Sequence, residues 1–379
     1  MANRKNALQQ LYAQAQSPWL DFITRDILNN GRLQELIDSG ITGLTSNPTI
    51  LQKAMASSAL YHDELRRLVR EGKSVAEIYD ALVLDDIRNA AMMFRPVYDR
   101  TNGRDGLVSI EEPPSMAYDT GKSLEEARRL FSGLGLPNVM VKIPGTPQGI
   151  IAFQQALTEG INVNVTLVFA IDTYRAVAAA YITALEQRVA SGQPIDWIAS
   201  VASFFVSRVD TAVDKKLDAL IAAATDEGRK RELAALHGKA AIANAKLAYA
   251  AYKEIFSGPR WEALAQKGAR PQRCLWASTS TKNPTYRDVL YAEQLIGPDT
   301  VDTMPPATID AFLDHGIVER TIDKDPDQAQ QDLVAIERAG ISMDEVTAQL
   351  QRDGIKLFAD AFDELIDTIR TKYEEVRAT

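Results

Sequence analysis

Lys142 stands in the run VMVKIPGTPQGI (139–150), with Met140, Val141, Ile143 and Pro144 as its nearest neighbours. On a strand covered on both faces, a lysine is poorly hydrated and its charged form is disfavoured. A free lysine, with a pKa of ~10.4, is about 0.04% neutral at pH 7. A downward shift of ~3 units, worth ~4 kcal/mol of differential solvation, makes roughly a third of it nucleophilic. Such an amine adds to a ketone and forms a Schiff base, whose iminium draws electrons from a breaking C–C bond. The chemistry needs several proton transfers, which nearby carboxyl groups can serve. Two stand on apolar runs: Glu111, closing LVSIE (107–111), and Asp21, inside WLDFI (19–23). The plain alternatives are a lysine at a strand edge with its head in water, and carboxylates in structural ion pairs or rim hydrogen bonds.

The run INVNVTLV (161–168) alternates Asn162, Asn164 and Thr166 with Val163, Val165 and Leu167. The polar residues therefore share one face, able to hold hydroxyls or a water; a solvated edge strand gives the same alternation. Asn47, Ser203 with Arg208, and Ser278 with Lys282 also fall at the ends of apolar runs.

The elements that must position these groups alternate in type. Short apolar runs predict strands at 19–23, 41–45, 107–111, 139–143, 161–169, 197–204, 274–278 and 300–303. Amphipathic stretches lie between them, at 74–94 on a 3.6-residue period, at 172–190 and at 210–224. SLEE (123–126) has the pattern of a capping box ahead of a helix, and Thr146-Pro147 that of an N-cap followed by proline at the first helical position. Eight strands, most followed by a helix, predict an α/β fold, a (β/α)8 TIM barrel, whose catalytic groups sit at the C-terminal strand ends. Phosphate sites in such barrels favour the loops after the last strands and a helix N-terminus. That is where Arg208 and Lys282 fall, although ordinary surface cations abound among the 42 lysines and arginines. A barrel of ~250 residues leaves a remainder, placed as helical additions at about 51–100, 227–270 and 340–379. No Ser/Gly linker or repeat divides the chain, so residues 1–379 read as a single domain.

Composition narrows the partners. With 46% hydrophobic and 25% charged residues the chain can bury a sizeable core. A net charge of −9 argues against nucleic acid or anionic membrane as the main partner. One cysteine, Cys274, allows no intramolecular disulfide, which favours a reducing, cytoplasmic location. The three histidines show no metal-ligand spacing. The N-terminal residues have no apolar h-region, and no segment reaches the ~18 apolar residues of a membrane span.

Together, GITGLTSNP (40–48), VSIE (108–111), VMVKIPGTPQGI (139–150), GINVNVTLV (160–168), SFFVSR (203–208) and LWASTSTKNP (275–284) resemble the transaldolase family. They look most like its long bacterial subgroup, within the class I Schiff-base aldolases. The resemblance spans essentially the whole barrel. It implies transfer of a dihydroxyacetone unit between sugar phosphates in the pentose phosphate pathway, without cofactor or metal. Fructose 6-phosphate or sedoheptulose 7-phosphate would be the donor, and erythrose 4-phosphate or glyceraldehyde 3-phosphate the acceptor. By the same resemblance Lys142 forms the Schiff base and Asp21 deprotonates the C4 hydroxyl. Glu111, with Thr166 and a held water, handles the carbinolamine protons. Asn47 and Asn164 bind hydroxyls, and Ser203 and Arg208 bind substrate, Arg208 at the phosphate. The last loop departs from the family pattern: many members have Ser-Phe-Arg where this chain has Ser278-Thr-Ser-Thr-Lys282. Either Ser278 or Ser280 then supplies the phosphate hydroxyl, and Lys282 gives a point charge instead of arginine's bidentate fork. Two rivals stay open: an aldolase releasing free dihydroxyacetone, and a catalytically silent barrel used for binding. The oligomeric state, monomer or homodimer, is open too.

Overall fold

Each of the eight apolar runs becomes a strand. The computed structural model describes residues 5–378. Its strands are β1 (Gln16–Asp21), β2 (Gly43–Thr45), β3 (Val108–Glu111), β4 (Val139–Pro144), β5 (Val163–Val168), β6 (Ser200–Phe205), β7 (Arg273–Ala277) and β8 (Thr300–Met304). They are parallel and follow chain order around a closed barrel, with β1 pairing both β2 and β8. Helices form the outer layer, so β4 to β8 are buried at every position. Such strands read as near-continuous apolar runs, which is why the sequence shows them.

The first strand starts three residues before the expected 19–23 and ends two earlier. Its opening residues are Gln16, Ser17 and Pro18, which carry no apolar signal. They are interior nonetheless, because the Gln16 side-chain amide donates to Leu295 O at 2.7 Å and Thr300 Oγ1 at 3.0 Å. Strand β5 is shorter than 161–169. Its ladder to β6 shifts register between Val165 and Val168, and Leu167 takes φ 55°.

The turn after β4 is pinned on both sides. Gly145 N donates to Thr166 O at 2.7 Å, and Thr146 Oγ1 accepts from Gly149 N at 2.9 Å, with Pro147 opening the helix Pro147–Thr158. The N-cap and proline expected here are therefore present. The capping box expected at 123–126 is not. The helix begins at Thr120 and is capped by Asp119, whose side chain accepts from Lys122 N. Asp119 stands one turn earlier and is an equally good cap, which leaves Ser123 inside the helix, where its hydroxyl donates to the Glu112 carboxylate. The helix after β6 starts at Ser207, not at 210, so Arg208 lies in its first turn.

Helices fill the three remaining stretches. Between β2 and β3 come Pro48–Ser57, His62–Arg70 and Val75–Arg100, the last opened by a Ser74–Glu77 capping box. Between β6 and β7 come Glu227–Ala234, Ala240–Ile255 and Pro259–Ala265. After β8 the chain ends in Pro306–His315, Pro326–Arg338 and the 35-residue Met343–Arg377. The last buries Val346, Ile355, Phe358, Leu365 and Ile369, each worth ~1.5–3 kcal/mol. Among the described residues no helix is long and apolar enough to cross a membrane.

Gly149 sets how closely the helix after β4 approaches its strand. A Cβ there would stand 2.0 Å from Pro144 O and 3.0 Å from Thr146 Oγ1. Gly149→Ala must push the helix off the end of β4, a cost of ~1–3 kcal/mol, read as a lower urea midpoint than the parent's.

Candidate active site

Register places the central groups in one row. Glu111 pairs with Lys142 across β3 and β4, and Lys142 with Asn164 across β4 and β5. In-register neighbours on parallel strands send their side chains to the same face, here the barrel interior. Lys142 is 4% exposed. Its Nζ donates to Ser46 O at 3.0 Å and lies 3.0 Å from Glu111 Oε2. The second contact is an ion pair by distance, but its angle is too poor for an aligned hydrogen bond. Burial raises the Glu111 carboxyl above the ordinary glutamate range, with Lys142 opposing. Asp21, at the end of β1, is raised by burial as well, against the pull of Lys142, Lys282 and Arg208. Both acids therefore hold a proton more readily than free carboxylates, which suits groups that must take one and give it back.

Above this row opens a cavity of about 660 Å³, of the size that encloses a small metabolite. Asp21, Asn47, Lys142, Thr166, Ser203, Arg208, Ser278 and Lys282 all line it, and so does Ser280. Glu111 and Asn164 are not part of its lining. Glu111 adjoins it at Lys142, whose Nζ is 3.0 Å from Glu111 Oε2. Asn164 donates to Ser109 Oγ at 3.2 Å and accepts from Ser203 Oγ at 2.7 Å, so it braces Ser203. The Asn47 Oδ1 accepts from Ile50 N at 3.0 Å and caps the following helix; the amide nitrogen is the group it has for a ligand. Thr166 Oγ1 is buried without a protein partner.

The loop after β7 alternates. Ser278, at φ 58°, and Ser280 face the cavity, and Thr279 between them turns inward to Asp302 Oδ1 and Thr303 O. Ser278 Oγ meets Ser207 Oγ at 3.0 Å, and Lys282 Nζ donates to Ser280 Oγ at 2.7 Å. Lys53, on the helix Pro48–Ser57, joins the same rim. Of the charged lining residues four are cations (Lys53, Lys142, Arg208, Lys282) and one, Asp21, is an acid. Burial first, then Arg208, and more weakly Lys53, press Lys282 below the ordinary lysine range. Mutual repulsion of this kind is relieved by an anion. On a chain of net charge −9, that concentration of positive charge favours an anionic group at the rim.

Sequence reasoning missed Lys53, Leu357 and Phe358. Lys53 was legible: Asn47-Pro48 starts a helix, and positions 49, 50 and 53 then share a face, all three lining the cavity. Phe358 carried no such signal, since an aromatic in an amphipathic helix looks like core.

The sequence matches the family Transaldolase/Fructose-6-phosphate aldolase over residues 18–369. The chain belongs to the transaldolase family. Curated relatives named transaldolase include one from Trichodesmium erythraeum, 46% identical over 374 residues, covering 98% of each chain. One from Thermobifida fusca is 48% identical, covering 96% of this chain and 97% of its own, and one from Thiobacillus denitrificans is 47% identical, covering 93% and 97%. With relatives of that name matching almost end to end, the chain is an enzyme, a transaldolase.

In this transaldolase the residue after Glu111 faces the other way. Glu112 is buried among the outer elements, with both oxygens on Ser123 Oγ at 2.8 and 2.6 Å. Burial raises its pKa from 4.5 to about 8. In the unfolded chain the group ionises from about pH 4.5 upward, while the fold retains the proton. Its contribution is therefore fully present below that pH and lost as pH rises through about 8. Glu112→Gln should remove this dependence. Urea unfolding should show the parent losing on the order of 2–4 kcal/mol more than the variant between pH 5 and pH 8.

Proposed function

We propose that the enzyme moves a dihydroxyacetone unit from a ketose phosphate to an aldose phosphate through a Schiff base on Lys142. The supporting observation is one buried amine, 3.0 Å from a buried carboxylate, at the floor of a cavity whose rim is cationic.

The ketose enters with its C2 carbonyl at Lys142 and its phosphate among Arg208, Lys282, Lys53 and the two serines. Glu111 takes the ammonium proton, and the free amine adds to C2. The same proton then leaves with the departing water, with Thr166 Oγ1 holding a water for the transfer. Asp21 removes the C4 hydroxyl proton, the C3–C4 bond breaks, and its electron pair enters the iminium to give an enamine. The aldose phosphate departs and a second one takes its place. The enamine carbon attacks its aldehyde, and Asp21 returns the proton to the new alkoxide. Hydrolysis of the iminium frees the new ketose and the amine. Asn47 and Ser203 hold substrate hydroxyls, with Asn164 bracing Ser203. Fructose 6-phosphate or sedoheptulose 7-phosphate fits as donor, and erythrose 4-phosphate or glyceraldehyde 3-phosphate as acceptor.

Borohydride reduction in the presence of fructose 6-phosphate, followed by peptide mass analysis, tests the assignment. The adduct should lie on the Lys142 peptide and vanish in Lys142→Arg with the fold intact; an adduct elsewhere, or none, refutes it. Asp21→Ala should still form the adduct but lose turnover. For the rim, Lys282→Gln and Lys53→Gln should each raise KM for fructose 6-phosphate by on the order of tenfold, the worth of one charge-assisted bond. Activity on unphosphorylated fructose should stay near that of the parent.

A further inference from the structure

The helix Met343–Arg377 stands outside the eight strand–helix units, yet it forms part of the cavity wall. Phe358, 4% exposed, and Leu357 both line the cavity. Gln351 Nε2 donates to Gly145 O at 3.0 Å and Leu167 O at 3.2 Å. These carbonyls lie just past Lys142 on β4 and at the register shift of β5. One turn further, Gly354 meets the Leu167 side chain: a Cβ there would be 2.8 Å from Leu167 Cδ2 and 3.7 Å from Arg208 Nη1. Another turn on, the Phe358 ring centroid lies 6.0 Å from the Arg208 guanidinium, which is also 5.5 Å from that of Phe205. Spacing of three and four residues stacks Gln351, Gly354 and Phe358 along one helix face. An amide clamp, a glycine that permits close approach and an aromatic over the cavity thus act along one line.

We propose that this helix is the water-excluding wall of the site, with Phe358 shielding the three-carbon enamine and holding Arg208 in place. The helix thereby sets the ratio of transfer to wasteful release. The proposal rests on the assignment of the Schiff base to Lys142. Release requires a proton at the nucleophilic enamine carbon, then addition of water at the iminium carbon, which frees dihydroxyacetone and returns the amine. Transfer requires that carbon to meet an aldehyde first. An apolar ring over the enamine slows the first course without touching the second. Gly354 acts at one remove, by letting the helix seat.

The test uses the full chain and two rates: free dihydroxyacetone formed from fructose 6-phosphate alone, and sedoheptulose 7-phosphate formed when erythrose 4-phosphate is added. Phe358→Ala should raise the release-to-transfer ratio by about tenfold through admitted water. Gly354→Ala should raise it in the same direction, and Phe358→Leu should restore a ratio near that of the parent. Rates that fall together at constant ratio, or a leucine variant as leaky as the alanine one, overturn the proposal. Should Phe358→Ala not fold, Phe358→Val takes its place with the same two outcomes. Borohydride trapping on the parent separates the failures. An absent Lys142 adduct sinks the Schiff-base assignment and this proposal with it, whereas an adduct with an unmoved ratio sinks this proposal alone.

Discussion

An ammonium buried inside a closed barrel is the constraint that the surrounding structure answers. Taking a charge out of water costs several kcal/mol even after relaxation, and one opposing carboxylate seldom returns all of it. Lys142 is met by Glu111 on the neighbouring strand and by the Ser46 carbonyl at the end of β2. Both partners are backbone-fixed in height: Glu111 by its register with Lys142, and Ser46 by its own bonds to Ser109 O. A hydrophobic trio of the same volume would serve stability at least as well. The arrangement makes sense as chemistry, because the proton that charges the lysine has somewhere adjacent to go.

The two acids flanking the amine differ in what they face. Glu111 is not part of the cavity lining and meets Lys142 Nζ at 3.0 Å. Asp21 lines the cavity itself and feels Lys282 and Arg208 as well as Lys142. Burial raises both, and the neighbouring cations limit how far. Lys282 and Arg208 at the rim thus oppose the effect of burial on Asp21 and favour its ionised form.

Much of this was legible in the residues. Strands covered by helices on the outside are apolar along their length, so all eight announced themselves, and Asp21, Glu111, Lys142 and Asn164 stood out as polar residues on those runs. The register that aligns Glu111, Lys142 and Asn164 in one row is visible only in the structure. The errors have physical reasons. Gln16 to Pro18 lack an apolar signature because their interior bonds are polar. The supposed cap at Ser123 lost to Asp119, since capping is decided by which polar side chain the chain reaches first in extended conformation. The helix after β6 began a turn early, placing Arg208 at a helix N-terminus. Phe358 was hidden because amphipathicity shows that a helix face is covered and not by what.

Pairing of Gln16 with Thr300 and of Leu20 with Met304 joins the first strand to the last. Until that late segment exists, β1 carries an unsatisfied edge, and unpaired edges invite association with other chains. Local strand–helix units can form early, but ring closure waits on contacts of the greatest sequence separation, the kind that slows folding most. Any sheet that forms on the ribosome before β8 emerges therefore has an open edge at β1. In the biogenesis of this enzyme, the interval before β8 emerges is the one in which a chaperone has most to protect.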